Sequence, residues 1–363
     1  MTIKPKLQVK KVAIFSFYNT PSGLFKWWDE FPREITTKLN GQNIEHICFY
    51  RSYTSDSAYS INEQNPIKPN SFSWLMKINK LASKYDNVIF HTHSYYPPLK
   101  LYLLTLFSSK RLWIITEHRL GDTPAPAWKR WTRLILKQLK LSPKYVICVS
   151  DAVATRNKQL YGSNTKRIHN GINLDEVNAP IIYREPKNAL YVGRLDPSKG
   201  IWNLVLAFDI LVNTFKRSDL KLSVVGGGNI LNELKTFVTK HQLDENIIFH
   251  GYQSNPQPNY MEADFVVIPT LIKEALSLVA LEARNFGLPV LYANCGGLPE
   301  TVAKNGTALM GVEPDSIAES ILVFTKDKNA YNRMLSESKE GLNYFSMDRM
   351  TNEYVEFYKS LLN

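Results

Sequence analysis

Cysteine is scarce in this chain: three occur in 363 residues, Cys48, Cys148 and Cys295, and none stands in a C-x-x-C spacing. An odd number without paired spacing argues for free thiols, and Cys48 and Cys148 lie in apolar strand-like runs where burial is expected. Also lacking is any apolar run near the roughly 18 residues that a membrane-spanning helix needs. The run Val12–Phe17, behind the basic Lys4, Lys6, Lys10 and Lys11, is too short for a signal peptide and reads as a first strand. No D-x-D triplet occurs, so no obvious carboxylate site for a magnesium-bound diphosphate stands out, and no metal site is expected. Short-period repeats, long low-complexity tracts and nucleic-acid motifs are missing too, so no nucleic-acid partner is expected. What remains is a globular composition, 44% apolar, of a size that suits two domains, and a cytoplasmic location is expected.

Charge is divided unevenly. Residues 1–180 carry 26 Lys and Arg against 12 Asp and Glu, a net of +14, while residues 181–363 carry a net of −3. A basic first half beside a near-neutral second half points to an anionic partner of the first half alone. The densest basic segment, Trp128–Lys140, holds no acid. Lys129, Arg133, Lys137 and Lys140 recur on one helical face; Trp131, Leu134, Ile135 and Leu139 recur on another. Such a helix suits an anionic membrane interface, peripheral at the inner face of the cell membrane, and equally suits a peripheral helix packed on its own sheet.

Short apolar runs alternate with helical segments along the whole chain. Strands are expected at Val12–Phe17, Ile44–Tyr50, Val88–His93, Leu112–Thr116 and Tyr145–Val149, then at Ala189–Val192, Leu220–Val225, Ile247–His250, Phe265–Ile268 and Pro289–Tyr292. Buried runs between helices indicate α/β architecture with parallel sheets and crossover helices, hence two Rossmann-like doubly wound domains facing a cleft. Ligands should then bind at the carboxyl ends of the strands. The expected division is 1–178, 179–346 and a last helix within 347–363.

Two motifs carry chemistry. In Ile268–Glu300, Glu274 and Glu282 stand eight residues apart with a helix beginning between them near Ser277 and Leu278. Eight helical residues rise about 12 Å, near the span of a nucleotide sugar from hexose to ribose, and the free N–H groups of the helix start could hold an anion. The buried side of this helix is expected to hold Leu278, Leu281 and Ala283. The second motif, Gly193-Arg194-Leu195-Asp196-Pro197-Ser198-Lys199-Gly200, joins the strand-like Ala189–Val192 to a helix expected over Ile201–Phe215. Arg194 can clamp two phosphate oxygens through its planar fork, and Lys199 adds a point charge.

Together with Gly296-Gly297-Leu298-Pro299-Glu300, these motifs, which span about 110 residues of the chain, resemble the donor site of the retaining glycosyltransferases of family 4 (glycosyl transferases group 1), which have the GT-B fold. The resemblance implies that Arg194 and Lys199 bind the diphosphate, that Glu282 holds the ribose and that Glu274 fixes sugar hydroxyls. It implies that Gly226, in Gly226-Gly227-Gly228, lies against the nucleotide and that Tyr252 sits where backbone meets the base. It implies that His118, in Thr116-Glu117-His118, touches the donor sugar, that His169-Asn170-Gly171-Ile172 is an interdomain segment, and that the last helix crosses back to the first domain. His91 and His93 also end a strand facing the expected cleft, and Glu117 could orient His118 or bind the acceptor.

The chain departs from the family after its first strand, where Tyr18-Asn19-Thr20-Pro21-Ser22-Gly23 holds one glycine instead of a pair, with Trp27 and Trp28 following as acceptor platform or core. Gly23 still permits close backbone approach. Ala275 stands where glycine is common. The function implied is a retaining, metal-independent transfer of a hexose-type sugar from a nucleotide diphosphate sugar, UDP-sugar first and GDP-sugar next. The acceptor is a glycan or a lipid-linked glycan in surface polysaccharide or glycolipid biosynthesis, and no cofactor is needed beyond the donor. A sugar-nucleotide 2-epimerase of the same fold and a non-catalytic nucleotide-sugar-binding protein are the alternatives.

Overall fold

The computed structural model describes residues 11–18, 27–51, 59–61, 72–93, 103–105, 108–120, 143–161, 164–174 and 185–362. Gly23 and the basic segment Trp128–Lys140 lie outside them. The chain builds two sheets. The first uses β1 (Val12–Tyr18), β2 (Ile44–Arg51), β3 (Tyr59–Ile61), β4 (Asn87–His93), β5 (Arg111–Glu117), β6 (Tyr145–Cys148) and β7 (Thr165–Arg167). Their order is 3-2-1-4-5-6-7, with only the short edge strand β3 antiparallel. The second uses β8 (Asn188–Val192), β9 (Lys221–Val225), β10 (Ile247–Gly251), β11 (Phe265–Ile268), β12 (Val290–Tyr292) and β13 (Gly306–Ala308) in the order 10-9-8-11-12-13, all parallel. This α/β arrangement of two doubly wound units is the GT-B fold. All ten strand-like runs form strands, with no end shifted by more than one residue. The added strands β3, β7 and β13 have three residues each, too short to leave a periodic signal.

Continuous apolar runs explain the central strands. Six of the seven residues of β1 are buried, as are six of seven in β4, because both faces of a parallel strand are covered by helices. Each sheet reverses its strand order once, between β1 and β4 and between β8 and β11. Loops diverge there and leave a crevice at the carboxyl ends. At the first switch point Tyr18 pairs in register with His93.

The end of the chain belongs to the first core. Along the helix Met347–Leu362 the buried residues are Met347, Met350, Thr351, Tyr354, Val355 and Tyr358, the i, i+3, i+4, i+7 spacing of one apolar stripe. That stripe joins Ile14, Phe31, Ile35, Ile89 and Ile114 in one cluster. Tyr354 lies 5.3 Å from Phe31 between ring centroids, and Lys38 donates to Asn352 at 2.7 Å at the helix surface. The second half has its own cores around Leu204, Phe208, Leu222 and Phe265 and around Val266, Ala280 and Leu298.

Three expectations need correction. Cys48 is only half-buried, whereas Cys148 is fully buried; neither they nor Cys295 form a disulfide. Cys48 sits on β2 at the edge of the first core, with the polar His46 ring beside it, 3.7 Å away at Nδ1. Leu278 is half-buried rather than core, since it opens the helix at the cleft, while Leu281 and Ala283 are fully buried. The helix expected over Ile201–Phe215 is regular only to Asp209, and Ile210–Thr214 continues as a wider turn. Among the described residues no helix is long and apolar enough to cross a membrane.

Replacing Tyr354 by alanine should remove a ring that packs on Phe31 and a hydroxyl 3.1 Å from Thr116 Oγ1. The expected loss is about 3–5 kcal/mol, read as a lowered urea midpoint. An unchanged midpoint would show that the last helix contributes little to the first core.

Candidate donor site

The site starts at the switch point of the second sheet. β8 and β11 are neighbours, so the loops that leave their carboxyl ends run side by side. After β8 the chain turns through Gly193 and Arg194 to Asp196, whose Oδ1 accepts the Ser198 N–H at 2.9 Å. This hydrogen bonding from Ser198 holds the Asp196 carboxyl below its ordinary value and fixes the short turn Pro197–Lys199. After β11 the loop is joined to it by a Leu271 N–H bond to Ser198 O at 3.0 Å. Lys199 Nζ then meets Glu274 Oε1 at 2.6 Å, with both side chains about four-fifths buried. The two motifs, 75 residues apart, are one site because the sheet order makes them so.

Glycines allow the remaining approaches. Gly226 follows β9 with φ +150, and a Cβ built there would lie 1.8 Å from Gly193 O. Gly296 has φ +59, and a Cβ there would lie 2.1 Å from Glu274 O. Gly297 donates its N–H to that same carbonyl at 2.7 Å. The glycine pair is therefore the backbone support of the Glu274 loop.

Ser277 caps the helix Leu278–Asn285, its Oγ accepting the Ala280 N–H at 3.2 Å. Glu282 lies one turn on, and the buried Tyr260 hydroxyl donates to Glu282 Oε2 at 2.7 Å. Burial first, and the charge of Glu282 next, raise the Tyr260 phenol well above its ordinary value, so it stays a donor. Tyr260 in turn stacks on Phe286, 5.1 Å away and 1° from parallel. These groups wall a cavity of about 290 Å³, lined also by Arg194, Gly226, Tyr252, Leu278 and Val279, with Trp27, Glu30 and Ile172 closing it from the first half.

Arg194, Gly226, Tyr252, Leu278 and Glu282 thus line one cavity. Lys199 and Glu274 form a pair beside it, and Ser277 serves as the helix cap. Sequence reasoning missed Tyr260 and Arg284. Arg284 is buried and donates to the carbonyls of Thr301, Ser338 and Glu340. Tyr260 belongs to no motif, and Arg284 lies within Ile268–Glu300 without a role of its own there; only the fold brings them to their partners.

The first half contributes a histidine group at the carboxyl ends of β4 and β5. His93 Nδ1 and His118 Nε2 are 3.2 Å apart. Tyr18 stacks on His93 at 4.6 Å, and Trp27 meets the His118 ring edge-on at 5.8 Å, which links His118 to the cavity wall. Trp27 is itself buried and donates Nε1–H to Gly171 O at 2.6 Å; it is structural as well as lining. The side chain of Trp28 lies outside the described residues. His91 is fully buried between Tyr358 OH, 2.6 Å from Nδ1, and Thr116 Oγ1, 2.7 Å from Nε2. Glu117 accepts the Arg119 N–H at 3.2 Å. Burial pushes His118 down to about 3 and His46 to about 4, and His91 and His93 well below the usual range, by burial first and by neighbouring histidines next. All four are neutral imidazoles near pH 7.

Two sequence-family models match: "Glycosyl transferases group 1" over residues 175–341 and "Glycosyltransferase Family 4" over residues 33–176. The chain belongs to the group 1 glycosyltransferases of family 4. It is 26% identical over 347 residues to an uncharacterized 41.2 kDa protein of the cps region of Klebsiella pneumoniae, covering 88% of this chain and 90% of that one. It is 31% identical over 185 residues to the lipopolysaccharide 1,2-N-acetylglucosaminetransferase of Salmonella typhimurium, covering 47% of this chain and 48% of that enzyme. For that enzyme and for most of the other curated relatives, the match spans only 40% to 63% of their length. In structure the chain is similar to a glycosyltransferase from Rickettsia africae, with a TM-score of 0.71 at 19% identity, covering 97% and 99% of the two chains. It is also similar to the Anabaena HepE protein in complex with UDP and glucose, with a TM-score of 0.68 at 17% identity, covering 97% and 100%.

Two outcomes are expected of this site. Gly226→Ala should cost about 2 kcal/mol or more of stability, because a side chain at that positive φ strikes Gly193 O. A urea midpoint equal to the parent's would show that the loop relaxes freely. The histidines set a pH dependence. Their folded pKa values are depressed, so below about pH 6.5 the unfolded chain takes up protons that the folded chain refuses, and stability falls as pH falls towards 4. The expected loss between pH 7.5 and 5 is roughly 1–2 kcal/mol for each histidine, measured by denaturation at each pH. A flat profile would mean that these rings protonate in the folded protein.

Proposed function

We propose that this glycosyltransferase moves a hexose-type sugar, with retention of anomeric configuration and without a metal, from a nucleotide diphosphate sugar to a glycan or lipid-linked acceptor. UDP-sugar is the first donor to test and GDP-sugar the second. The observation that carries the reading is the pairing of Lys199 with Glu274 beside a cavity that holds Arg194 and Glu282. In the proposal Arg194, Lys199 and the helix start at Ser277–Leu278 neutralise the leaving diphosphate. Lys199 exchanges its Glu274 partner for phosphate when donor binds, which releases the Glu274 carboxylate to hold sugar hydroxyls. Glu282, aimed by Tyr260, takes the ribose hydroxyls, and the base lies against Tyr252.

Attack comes from the face that the diphosphate leaves, with no enzyme adduct. His118 is a neutral hydrogen-bonding residue towards the sugar, because its depressed pKa makes an imidazolium costly. Closing the two halves on each other excludes water and aligns the reactants. The names of relatives support a polysaccharide or glycolipid setting: one comes from a cps region and one acts on lipopolysaccharide. A structural neighbour holds UDP and glucose.

The test is a thermal-shift series with UDP-, GDP- and ADP-sugars on the parent chain, Lys199→Ala and Glu282→Ala. Because a ligand bound to the folded form alone must stabilise it, one nucleotide class should raise the melting temperature of the parent and leave both variants unmoved. Absence of any shift in the parent would sink the donor-site reading. Turnover of the nucleotide sugar alone, to its 2-epimer, would replace transfer by epimerisation.

A further inference from the structure

Glu300 closes the glycine motif in sequence, yet its carboxylate leaves the donor half. Oε2 accepts the Asp151 N–H at 2.8 Å and Oε1 accepts the Ala152 N–H at 3.3 Å. These are the first residues of the helix Asp151–Tyr161, which follows β6 in the first half. A carboxylate is favoured there by the open N–H groups and the helix dipole. His169 Nε2 lies 3.0 Å from the same Oε2, with the histidine side chain 5% exposed and the glutamate 20% exposed. His169 is held by Tyr344 OH at 3.0 Å and, through its carbonyl, by Arg349 at 2.9 Å. Asp151, the other acid of this cluster, pairs with Arg167.

On its inner side Glu300 is tied to the loop of Glu274. It stands in the short helix Leu298–Val302, which Gly297 opens. Gly297 donates to Glu274 O at 2.7 Å. Thr301 Oγ1 donates to Gly297 O at 2.6 Å, and the buried Arg284 guanidinium holds Thr301 O at 2.7 Å. Hydrogen bonds at either end of one helical turn therefore connect a helix N-terminus of the first half, through Glu300 and Gly297, to the backbone of Glu274.

We propose that Glu300 is a positioning residue for sugar transfer: its grip on the Asp151 helix sets where the Glu274 loop stands relative to the half that brings the acceptor. The inference rests on the role proposed above for Glu274. It differs from a simple interface contact, because the side chain that bridges the halves and the backbone that supports Glu274 belong to the same single turn.

Hydrogen exchange and kinetics on Glu300→Ala and Glu300→Gln test it. In Glu300→Ala the amides of residues 272–277 should exchange at least fivefold faster, while those of β8 and of the helix Leu278–Asn285 keep their protection. Transfer should lose tenfold or more in kcat, with the donor KM within threefold of the parent. Glu300→Gln keeps an oxygen acceptor for the helix and should recover most of both. Unchanged exchange at 272–277 would overturn the proposal, as would a uniform loss of protection across both halves. Stabilisation of the parent by zinc that Glu300→Ala abolishes would also overturn it, by making Asp151, His169 and Glu300 a cation site. Should Glu300→Ala fail to fold, His169→Ala removes one arm of the same contact and is read in the same way. The exchange result needs no substrate, so it decides the coupling even if every nucleotide sugar fails to bind and the donor reading falls.

Discussion

Backbone lying against backbone is the constraint on which the donor half depends. The loop after β9 can reach the loop after β8 only because Gly226 leaves the place of a side chain to Gly193 O. The loop that carries Glu274 is supported in the same manner by Gly296 and Gly297. Once those loops are close, electrostatics follows: Lys199 and Glu274 share a salt bridge of 2.6 Å, and Arg194 and Glu282 face one cavity. Any added methyl group at these contacts must push back a carbonyl oxygen, which close-packed surroundings resist.

A second dependence runs through the last helix. Met350, Tyr354, Val355 and Tyr358 complete a core built mostly from residues of the first 172, which Ala275, Leu276 and Leu281 of the donor half also join, so the first half is unfinished until the chain end has been made. The same helix supplies Tyr358 and Tyr354 to the His91 and Thr116 network under the histidine group. Burial then keeps those rings neutral, which suits hydrogen bonding near a donor sugar and makes acid a threat to the fold. The two halves also meet through Glu300 and His169, away from the cavity. Contact between halves thus combines packing at the chain end, apolar packing of Ala275, Leu276 and Leu281 on the first core, the shared cavity wall and hydrogen bonding at a helix start.

Much of the fold was legible because buried parallel strands need continuous apolar runs, and Phe265–Ile268 or Val12–Phe17 can hardly serve otherwise. The edge strands β3, β7 and β13 were not, since Tyr59–Ile61, Thr165–Arg167 and Gly306–Ala308 hold no continuous apolar run, unlike the equally short Val290–Tyr292. At the site, Arg194, Lys199 and Glu274 were legible as charged residues in loops at strand ends, and Glu282 as the carboxylate on the helix that follows. Tyr260 was not: it is one aromatic among many until it is found 2.7 Å from Glu282. Glu300 could be read as part of a motif, but its partners in the first half could not.

The sequence by itself determined the alternation of strands and helices, the two basic and acidic motifs, the uneven charge and the lack of a membrane-long apolar run, because each is a local property of residue type and spacing. Tertiary structure alone decided that Lys199 faces Glu274, that Tyr260 aims Glu282, that the histidines are buried and neutral, and that Glu300 joins the halves. Those are distances between residues 22 to 149 positions apart, and such distances are set by strand order and by how the helices cover the sheets.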